Sequence, residues 1–309
     1  MPQVLANVRK YKRGMAMSNE FFIQPKVYDI KNSYEVVVKS NMRITPDHAQ
    51  DDVHEIILDV HGASLTYVEG QSIGVLAPPP YDFGSDHHMR LYSIASTRKG
   101  EHGNKDEIAI CVQRCFYIDS VSGERYPGKC SNYICDLNVG DQVTISGPYG
   151  RHFIIPKDND ANVLMVASGT GIAPFRAFIK HIFEEEDGRK GEVRLFYEAA
   201  TGLDFLYMNQ IRDDIKHHYL ETTFKAIEAL GSQSKFESSG GLVQKLEESA
   251  SDIWELIQHP KTYIYIAGMK KSSEGFNEAL SHIAGSEEKW LEKKRWLFQE
   301  GRWAEHLYD

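Results

Sequence analysis

Three short segments of this 309-residue chain carry residue types that handle anions. The first, Ser168-Gly169-Thr170-Gly171-Ile172-Ala173-Pro174, follows a continuous apolar run at Asn162–Ala167. Glycines directly after a buried strand let the backbone approach a ligand closely. A helix starting near Pro174 would aim unpaired N–H groups and its positive dipole end at whatever sits there. A pyrophosphate is the natural occupant. The third glycine of G-x-G-x-x-G is missing, so the segment alone also reads as a tight strand-to-helix turn with Pro174 at the first helical position.

The second segment is Arg90-Leu91-Tyr92-Ser93. Strand alternation puts Arg90 and Tyr92 on one face and Leu91 and Ser93 on the other, so a cation and a ring stand side by side. Such a pair can clamp a phosphate and stack a flat ring, and it can equally be a surface pair on a half-exposed strand. The third is Gly128-Lys129-Cys130-Ser131-Asn132-Tyr133, a small polar turn feeding a short helix. It offers N–H donors to phosphate, or simply a Ser/Asn cap.

The elements that hold these segments change character along the chain. From Tyr34 come short β-type runs: YEVVVKS, Glu55–Val60, Ser72–Ala77, Arg90–Ser96, Glu107–Phe116 and Gln142–Gly147, separated by Gly70, Pro78–Pro80, Gly100, Gly103, Gly123 and Gly140. That spacing predicts an antiparallel barrel or sandwich. After Pro156 the pattern becomes strand–helix alternation. Buried strands are expected at Asn162–Ala167, Val193–Ala199, Thr223–Leu230 and Thr262–Gly268. Helices are expected after Pro174 (Phe175, Phe178, Ile179, Ile182 and Phe183 on one face), between the second and third strands, and at Leu242–Glu248. This alternation predicts a parallel doubly wound sheet.

Composition bounds the function. Lys+Arg 35 against Asp+Glu 44 gives a net charge of −9, which argues against general nucleic-acid binding. With 41% hydrophobic and 26% charged residues the chain has material for real cores. No apolar run approaches the roughly 18 residues of a membrane span, and the N-terminus has no signal-peptide core, so a cytoplasmic protein is expected. Cys111, Cys115, Cys130 and Cys135 do not follow metal-ligand spacing; no metal is expected, and Cys111 and Cys115 read as small core residues of one strand. His87-His88 and His217-His218 read as solvated loop residues, and Arg9, Lys10, Lys12 and Arg13 form a basic arm.

Taken in order, RLYSIAS, CVQRCFY, GKCSNYICDL, ISGPYG, ASGTGIAPFRAF, LFYEAATGLDFLY and YIYIAGMK resemble the segments of the plant-type ferredoxin–NADP(+) reductase family. The resemblance runs from about Tyr34 to Tyr308. It implies two domains, an antiparallel β-barrel FAD-binding domain over 34–156 and an α/β parallel-sheet NAD(P)-binding domain over 157–309, after a basic arm at 1–33. It also implies roles within the RLYS block, residues 90–93. Arg90 would pair with the FAD pyrophosphate, Tyr92, beside Leu91, would pack on the isoalloxazine, and Ser93 would bond near flavin N5. Cys111, Val112 and Gln113 would line the flavin by their backbone, and Tyr117 would stack on adenine. Lys129, Cys130 and Ser131 would hold phosphate. Gly169, Thr170, Gly171 and Pro174 would form the turn shared by FAD and the nicotinamide dinucleotide, with Gly268 and Met269 beside the nicotinamide.

Departures from the family pattern matter too. Ala267 stands where the family often has cysteine, and Gln113 where it often has lysine. At the C-terminus His306 takes the place of a carboxylate two residues before Tyr308, with Glu305 adjacent and Asp309 following. Ser93, Glu305, His306 and Tyr308 are the expected catalytic group. The places where NADP-specific members grip the 2′-phosphate read Ile227-Glu228-Ala229 and Gly240-Gly241-Leu242. An acid at Glu228 repels phosphate and can accept from a ribose hydroxyl, so NADH is favoured over NADPH, unless Lys235 in the loop Gly231–Ser239 takes the phosphate.

The expected function is an FAD reductase that exchanges hydride with NAD(P)H and single electrons with an acidic carrier such as ferredoxin or flavodoxin. The alternatives are the reductase component of an oxygenase, or a flavin-binding assembly or sensor module with impaired hydride transfer. Docking candidates are the arm, Lys270-Lys271 and Lys293-Lys294-Arg295, the last beside Trp290 and Trp296, which equally suit a core.

Overall fold

A computed structural model describes residues 32–79, 88–185, 188–231 and 240–308. The basic arm, Pro80, His87, Lys235 and Asp309 lie outside the described residues. The first half holds β1 (Ser33–Arg43), β2 (Val53–Asp59), β3 (Ser72–Ala77), β4 (His88–Ser93), β5 (Glu107–Gln113), a hairpin of β6 (Phe116–Ile118) and β7 (Arg125–Pro127), helix α1 (Lys129–Cys135) and β8 (Gln142–Tyr149). Six strands form one sheet in the order β4-β3-β8-β1-β2-β5. An antiparallel bridge between Ile94 and Ile110 joins its two edges, closing the sheet into a barrel. Inside, Val36, Val38, Ile56, Leu58, Ile73, Val75, Ile110 and Ile145 pack together, and α1 plugs one end with Cys130, Ile134 and Cys135.

The second half is a five-stranded parallel sheet in the order β11-β10-β9-β12-β13, made of β9 (Asn162–Ser168), β10 (Val193–Ala199), β11 (Phe224–Leu230), β12 (Thr262–Met269) and β13 (Trp303–Tyr308). Helix α2 (Ile172–Lys180) runs on into a π-helical turn at His181–Glu185. It is followed by α3 (Gly240–Glu248), α4 (Ala250–Gln258), α5 (Lys270–Ile283) and α6 (Glu287–Gln299). Strands β9, β10 and β12 were legible as near-continuous apolar runs because the middle of a parallel sheet is covered on both faces, whereas the edge strand β11 keeps Lys225 and Glu228 exposed. No helix among the described residues is long and apolar enough to cross a membrane.

Several expectations are corrected. The helix expected between β10 and β11 is replaced by 3-10 turns at Gly202–Asp204 and Asp214–His218. Its apolar residues, Phe205, Leu206, Tyr207 and Met208, are consecutive rather than helically spaced, and all four enter the core at once. The strand expected over Glu107–Phe116 stops at Gln113, because loop groups take over the ladder. Ser131 Oγ accepts from Cys115 N–H at 3.1 Å, and Cys115 O accepts from Gly128 N–H at 2.9 Å. Alternation ends there, so Cys115 is exposed while Cys111 is buried. His218 is buried and stacked on Phe183, with ring centroids 5.5 Å apart. Trp290 is core, whereas Trp296 is exposed. Helix α2 begins at Ile172, two residues before Pro174.

One apolar cluster is common to both halves. Ile57, Ala109 and Cys111 on the outer face of the barrel join Phe153, Phe175, Phe178, Tyr197, Tyr207 and Tyr265. Within this apolar mass sits Arg176 of α2, with no exposed surface. Its guanidinium donates to both oxygens of Glu101 at 2.8 Å, to Ala95 O at 3.0 Å and to Asp214 at 2.7 Å, and lies 4.8 Å from the centre of the Tyr207 ring. Arg212 reaches Glu55 at 2.9 Å beside it. Nearby, Arg98 holds Glu69 through its backbone N–H and guanidinium, next to His181 and Glu185. Burial alone would raise the Glu101 carboxyl, yet hydrogen bonds and charge from Arg176 hold it at about 2.

Removing one member of a buried ion network strands the others. Arg176→Met is expected to cost about 3–5 kcal/mol, read as a fall in the urea midpoint, and Glu101→Gln in that background should recover part of the loss. The Glu101 carboxylate is depressed in the folded state, so its contribution is present above its ordinary value of 4.5 and is lost as pH falls toward about 2. An Arg176→Met protein with the wild-type midpoint would refute the assignment.

Candidate active site

The barrel contributes a helix start without a side-chain cap among the described residues. Gly128 leads into α1 with extended backbone (φ −63°, ψ 122°), no side chain caps the helix, and its first turn has no acidic residue. The N–H groups of a helix's first turn have no intrahelical acceptor, and here no side-chain cap takes them. A Cβ on Gly128 would lie 3.0 Å from Ser131 Oγ and 3.2 Å from Cys115 O, so glycine keeps this approach open. Tyr92 and Arg90 converge on the same place: the Tyr92 hydroxyl hydrogen-bonds the Cys130 thiol, and the Arg90 charge acts on that thiol. Arg90 is itself exposed.

The other expected flavin-side residues divide by what their side chains can reach. Val112 lies in the barrel core and Cys111 in the shared cluster, so only their backbone can line a ligand. Ser93 is half-buried opposite Ser72, and Leu91 is exposed opposite Gly74. Tyr117 stacks on Tyr126 across the β6–β7 hairpin, with centroids 5.4 Å apart and 22° between planes. Pro127 of that hairpin runs directly into Gly128, so the exposed ring pair and the α1 start are contiguous. The Ser131 hydroxyl is committed to its own loop, which leaves the backbone as its route to a phosphate. Gln113 closes β5 and is half-buried.

The second half contributes the Gly169–Gly171 turn, at the point where the strand order reverses between β9 and β12. In open α/β sheets ligands bind at the carboxyl ends of strands at such a point. Two glycines make the close packing there. A Cβ on Gly171 would fall 2.1 Å from Ala267 O, and one on Gly268, at φ +131°, would fall 2.2 Å from Ser168 Oγ. Ser168 Oγ accepts from Met269 N–H at 2.8 Å, tying the ends of β9 and β12 together. The turn is pinned by two tyrosines. Tyr197 donates to Gly169 O at 3.0 Å, and Tyr308 donates to Ser168 O at 3.0 Å while accepting from Gly171 N–H at 3.2 Å. Thr170 Oγ1 lies 3.1 Å from the Tyr308 hydroxyl. Pro174, the third residue of α2, is buried behind the turn.

The C-terminal strand separates its three expected catalytic residues. Tyr308 and His306 share one face. Burial of the Tyr308 hydroxyl, partly offset by hydrogen bonds from Thr170 and Gly171, pushes it up to about 12, although the ring keeps an exposed edge. His306 stacks on Phe153, with centroids 4.1 Å apart and 18° between planes, and burial lowers its imidazole to about 4. Glu305 points to the other side, where its Oε1 accepts from Trp303 Nε1 at 2.9 Å, Ser273 Oγ at 3.2 Å and Lys294 Nζ at 3.4 Å. The structure does not bring Glu305 to the Tyr308 face.

Glu228 stands on the edge strand β11. It pairs in register with Tyr197, and its exposed carboxylate is hydrogen-bonded by the Tyr219 hydroxyl. Sequence reasoning did not single out Phe153, Tyr197 or Arg176. Tyr197 lies within an apolar strand, and Phe153 three residues beyond Gly150 of the ISGPYG segment; a polar atom in a buried run was the available signal.

Known proteins share this architecture. Residues 35–154 match the oxidoreductase FAD-binding domain, and residues 165–275 match the oxidoreductase NAD-binding domain. A ferredoxin–NADP reductase of Spirulina sp. is 36% identical over 292 residues, covering 93% of this chain and 99% of that protein. The chloroplastic leaf isozyme 1 of Arabidopsis thaliana is 33% identical over 283 residues, covering 90% and 78%. The solved ferredoxin–NADP+ reductase of Plasmodium falciparum superposes with a TM-score of 0.70 over 91% of this chain and 98% of that one, at 20% identity, which speaks to the fold. With an FAD-binding domain folded as a closed barrel and an NAD-binding domain built on a parallel sheet, the chain belongs to the plant-type ferredoxin–NADP(+) reductase family of oxidoreductases.

Proposed function

We propose that this protein is an FAD-dependent reductase that exchanges a hydride with a nicotinamide dinucleotide and single electrons with an acidic, ferredoxin-type protein carrier. The observation that carries the reading is the seat of Tyr308. Its hydroxyl bridges Ser168 O, Thr170 and Gly171 N–H, so an exposed ring at the end of β13 closes the turn of the nucleotide-binding half. FAD, when bound, accepts the two electrons of a hydride and releases them one at a time. The division of labour follows a boundary near residue 156, with the barrel over 34–156 and the nucleotide half over 157–309.

In this reading the residues of the chain place and enclose the reactants. The α1 N–H groups at Lys129, Cys130 and Ser131, with Arg90, meet a pyrophosphate; Tyr117 offers its ring to adenine; Tyr92, beside Leu91, packs against the flavin ring. Ser93 and the backbone of Cys111, Val112 and Gln113 line that ring. Gly169, Thr170 and Gly171 receive the nicotinamide dinucleotide, with Gly268 and Met269 at its side. The Tyr308 ring excludes water until a nicotinamide displaces it. His306 is a neutral imidazole at neutral pH, since burial holds it at about 4. It shapes the site as an apolar stack on Phe153 and supplies no charge.

Closeness to the Tyr308 end of β13 supports Lys270 as part of the carrier site. Lys270 follows Met269, the register partner of Tyr308, and is exposed. Lys294 is less suited, because it is held by Asn277 at 3.0 Å and Glu305 and lies over Trp303.

Anaerobic addition of NADH and NADPH to the FAD-loaded protein is expected to bleach the flavin band with at least one nucleotide; no bleaching with either would sink the proposal. Tyr308→Ser should bind the dinucleotide about tenfold more tightly in calorimetry, because the ring no longer has to be lifted from its hydrogen bonds. The His306 imidazole should show no NMR titration between pH 8 and 5. Its folded value lies below the ordinary 6.5, so its neutral burial favours the fold above that pH and opposes it progressively as pH falls toward about 4. Lys270→Glu should slow ferredoxin-dependent cytochrome reduction and weaken its salt dependence, while ferricyanide reduction changes little.

A further inference from the structure

A buried carboxylate sits at the carboxyl end of the sheet where the proposed nucleotide site lies, and the residue pattern did not single it out. Glu198 is one residue from the end of β10, in register with Ser168 of β9 on one side and Ala229 of β11 on the other. It is only 4% exposed. Its Oε2 accepts from the Ser272 hydroxyl at 2.7 Å. Ser272 lies in the first turn of α5, a turn that has no acidic residue of its own and no side-chain cap. The carboxylate thus complements the positive end of that helix dipole. Its other oxygen faces the mouth between β10 and β11: a Cβ on Gly231 would come within 3.0 Å of Oε1. Gly231 N–H is bonded to Ala199 O at 2.9 Å, so the chain leaving β11 folds across the end of β10 and brings Gly231 beside this oxygen.

Topology gives this position a meaning. Counting from the strand that carries the Gly169–Gly171 turn, β9 is first and β10 second, in a 3-2-1-4-5 sheet. In dinucleotide-binding sheets an acid at the carboxyl end of the second strand accepts from the adenosine ribose hydroxyls; Glu198 holds that strand position, 27 residues beyond Gly171. Glu228 lies two residues before the end of the third strand and shares the face of Tyr197, opposite to the face of Glu198, with its carboxylate engaged by Tyr219.

We infer that Glu198, oriented by Ser272, is the acceptor for the ribose hydroxyls of the bound dinucleotide and disfavours a 2′-phosphate there. This rests on the dinucleotide reading of the site. A carboxylate already anchored through one oxygen presents the other at little entropic cost, and a 2′-phosphate brought against it would meet like charge in a poorly solvated crevice.

The test is calorimetric binding of NAD+ and NADP+ to the FAD-loaded protein, with no turnover required. Glu198→Gln keeps the shape and removes the charge; it should shift the affinity ratio toward NADP+ by about tenfold or more, the scale of a hydrogen bond to a charged group. Ser272→Ala should shift the ratio the same way by a smaller factor, and it carries the test if the Glu198 variant does not fold. A ratio unmoved in both variants, accompanied by a lower melting temperature, would show that Glu198 only caps α5 and would overturn the inference. A shift produced by Glu228→Gln instead would transfer the role to that residue and overturn it as well. Should the wild-type protein bind neither nucleotide, the dinucleotide reading itself fails, a result distinct from the other two.

Discussion

The buried guanidinium of Arg176 is the constraint on which the two halves depend. It lies five residues after Gly171, the last residue of the glycine-rich turn, yet its partners Glu101 and Ala95 belong to the barrel half and Asp214 to the loop between β10 and β11. A cation with no exposed surface is tolerable only if its hydrogen bonds are nearly all met. Five donors in a rigid plane therefore fix where α2 sits against the barrel, and α2 is the helix whose start forms the Gly169–Gly171 turn. The distance between the α1 start and that turn is set through this contact, in a cluster of aromatic rings that has little freedom to shift.

The chemistry of the site is one of enclosure. Two tyrosine hydroxyls pin the turn from its two sides, Tyr197 from within the sheet and Tyr308 from its last strand. His306, buried and uncharged on Phe153, extends an apolar wall under that strand. Charge is placed away from the wall: Glu305 is turned toward Trp303, Ser273 and Lys294, and Arg90 stands at the α1 start. An apolar wall low in fixed charge suits hydride exchange between two flat rings, where placement contributes more than acid–base chemistry.

The legible part of this molecule was the part with a period. Alternation and apolar runs located the barrel strands and β9, β10, β11 and β12, and glycine spacing located both helix starts, because strand burial and close backbone approach leave local marks. Where segments were misread, long-range partners had replaced local rules. Phe205–Met208 is pulled whole into the core instead of forming a helix, and β5 ends early because Ser131 and Asn132 take the groups of Cys115.

Residue identities alone, through the RLYS and GTGIAPFR blocks and the order barrel before parallel sheet, were enough to establish which family this chain belongs to and which two ligands its halves are built for. Tertiary structure decided the rest. Strand parity on β13 separates Tyr308 and His306 from Glu305, and the faces of β10 and β11 separate Glu198 from Glu228. A one-residue step along a strand turns a side chain to the opposite face, and which face borders the site depends on packing between residues as far apart as Ala95 and Arg176.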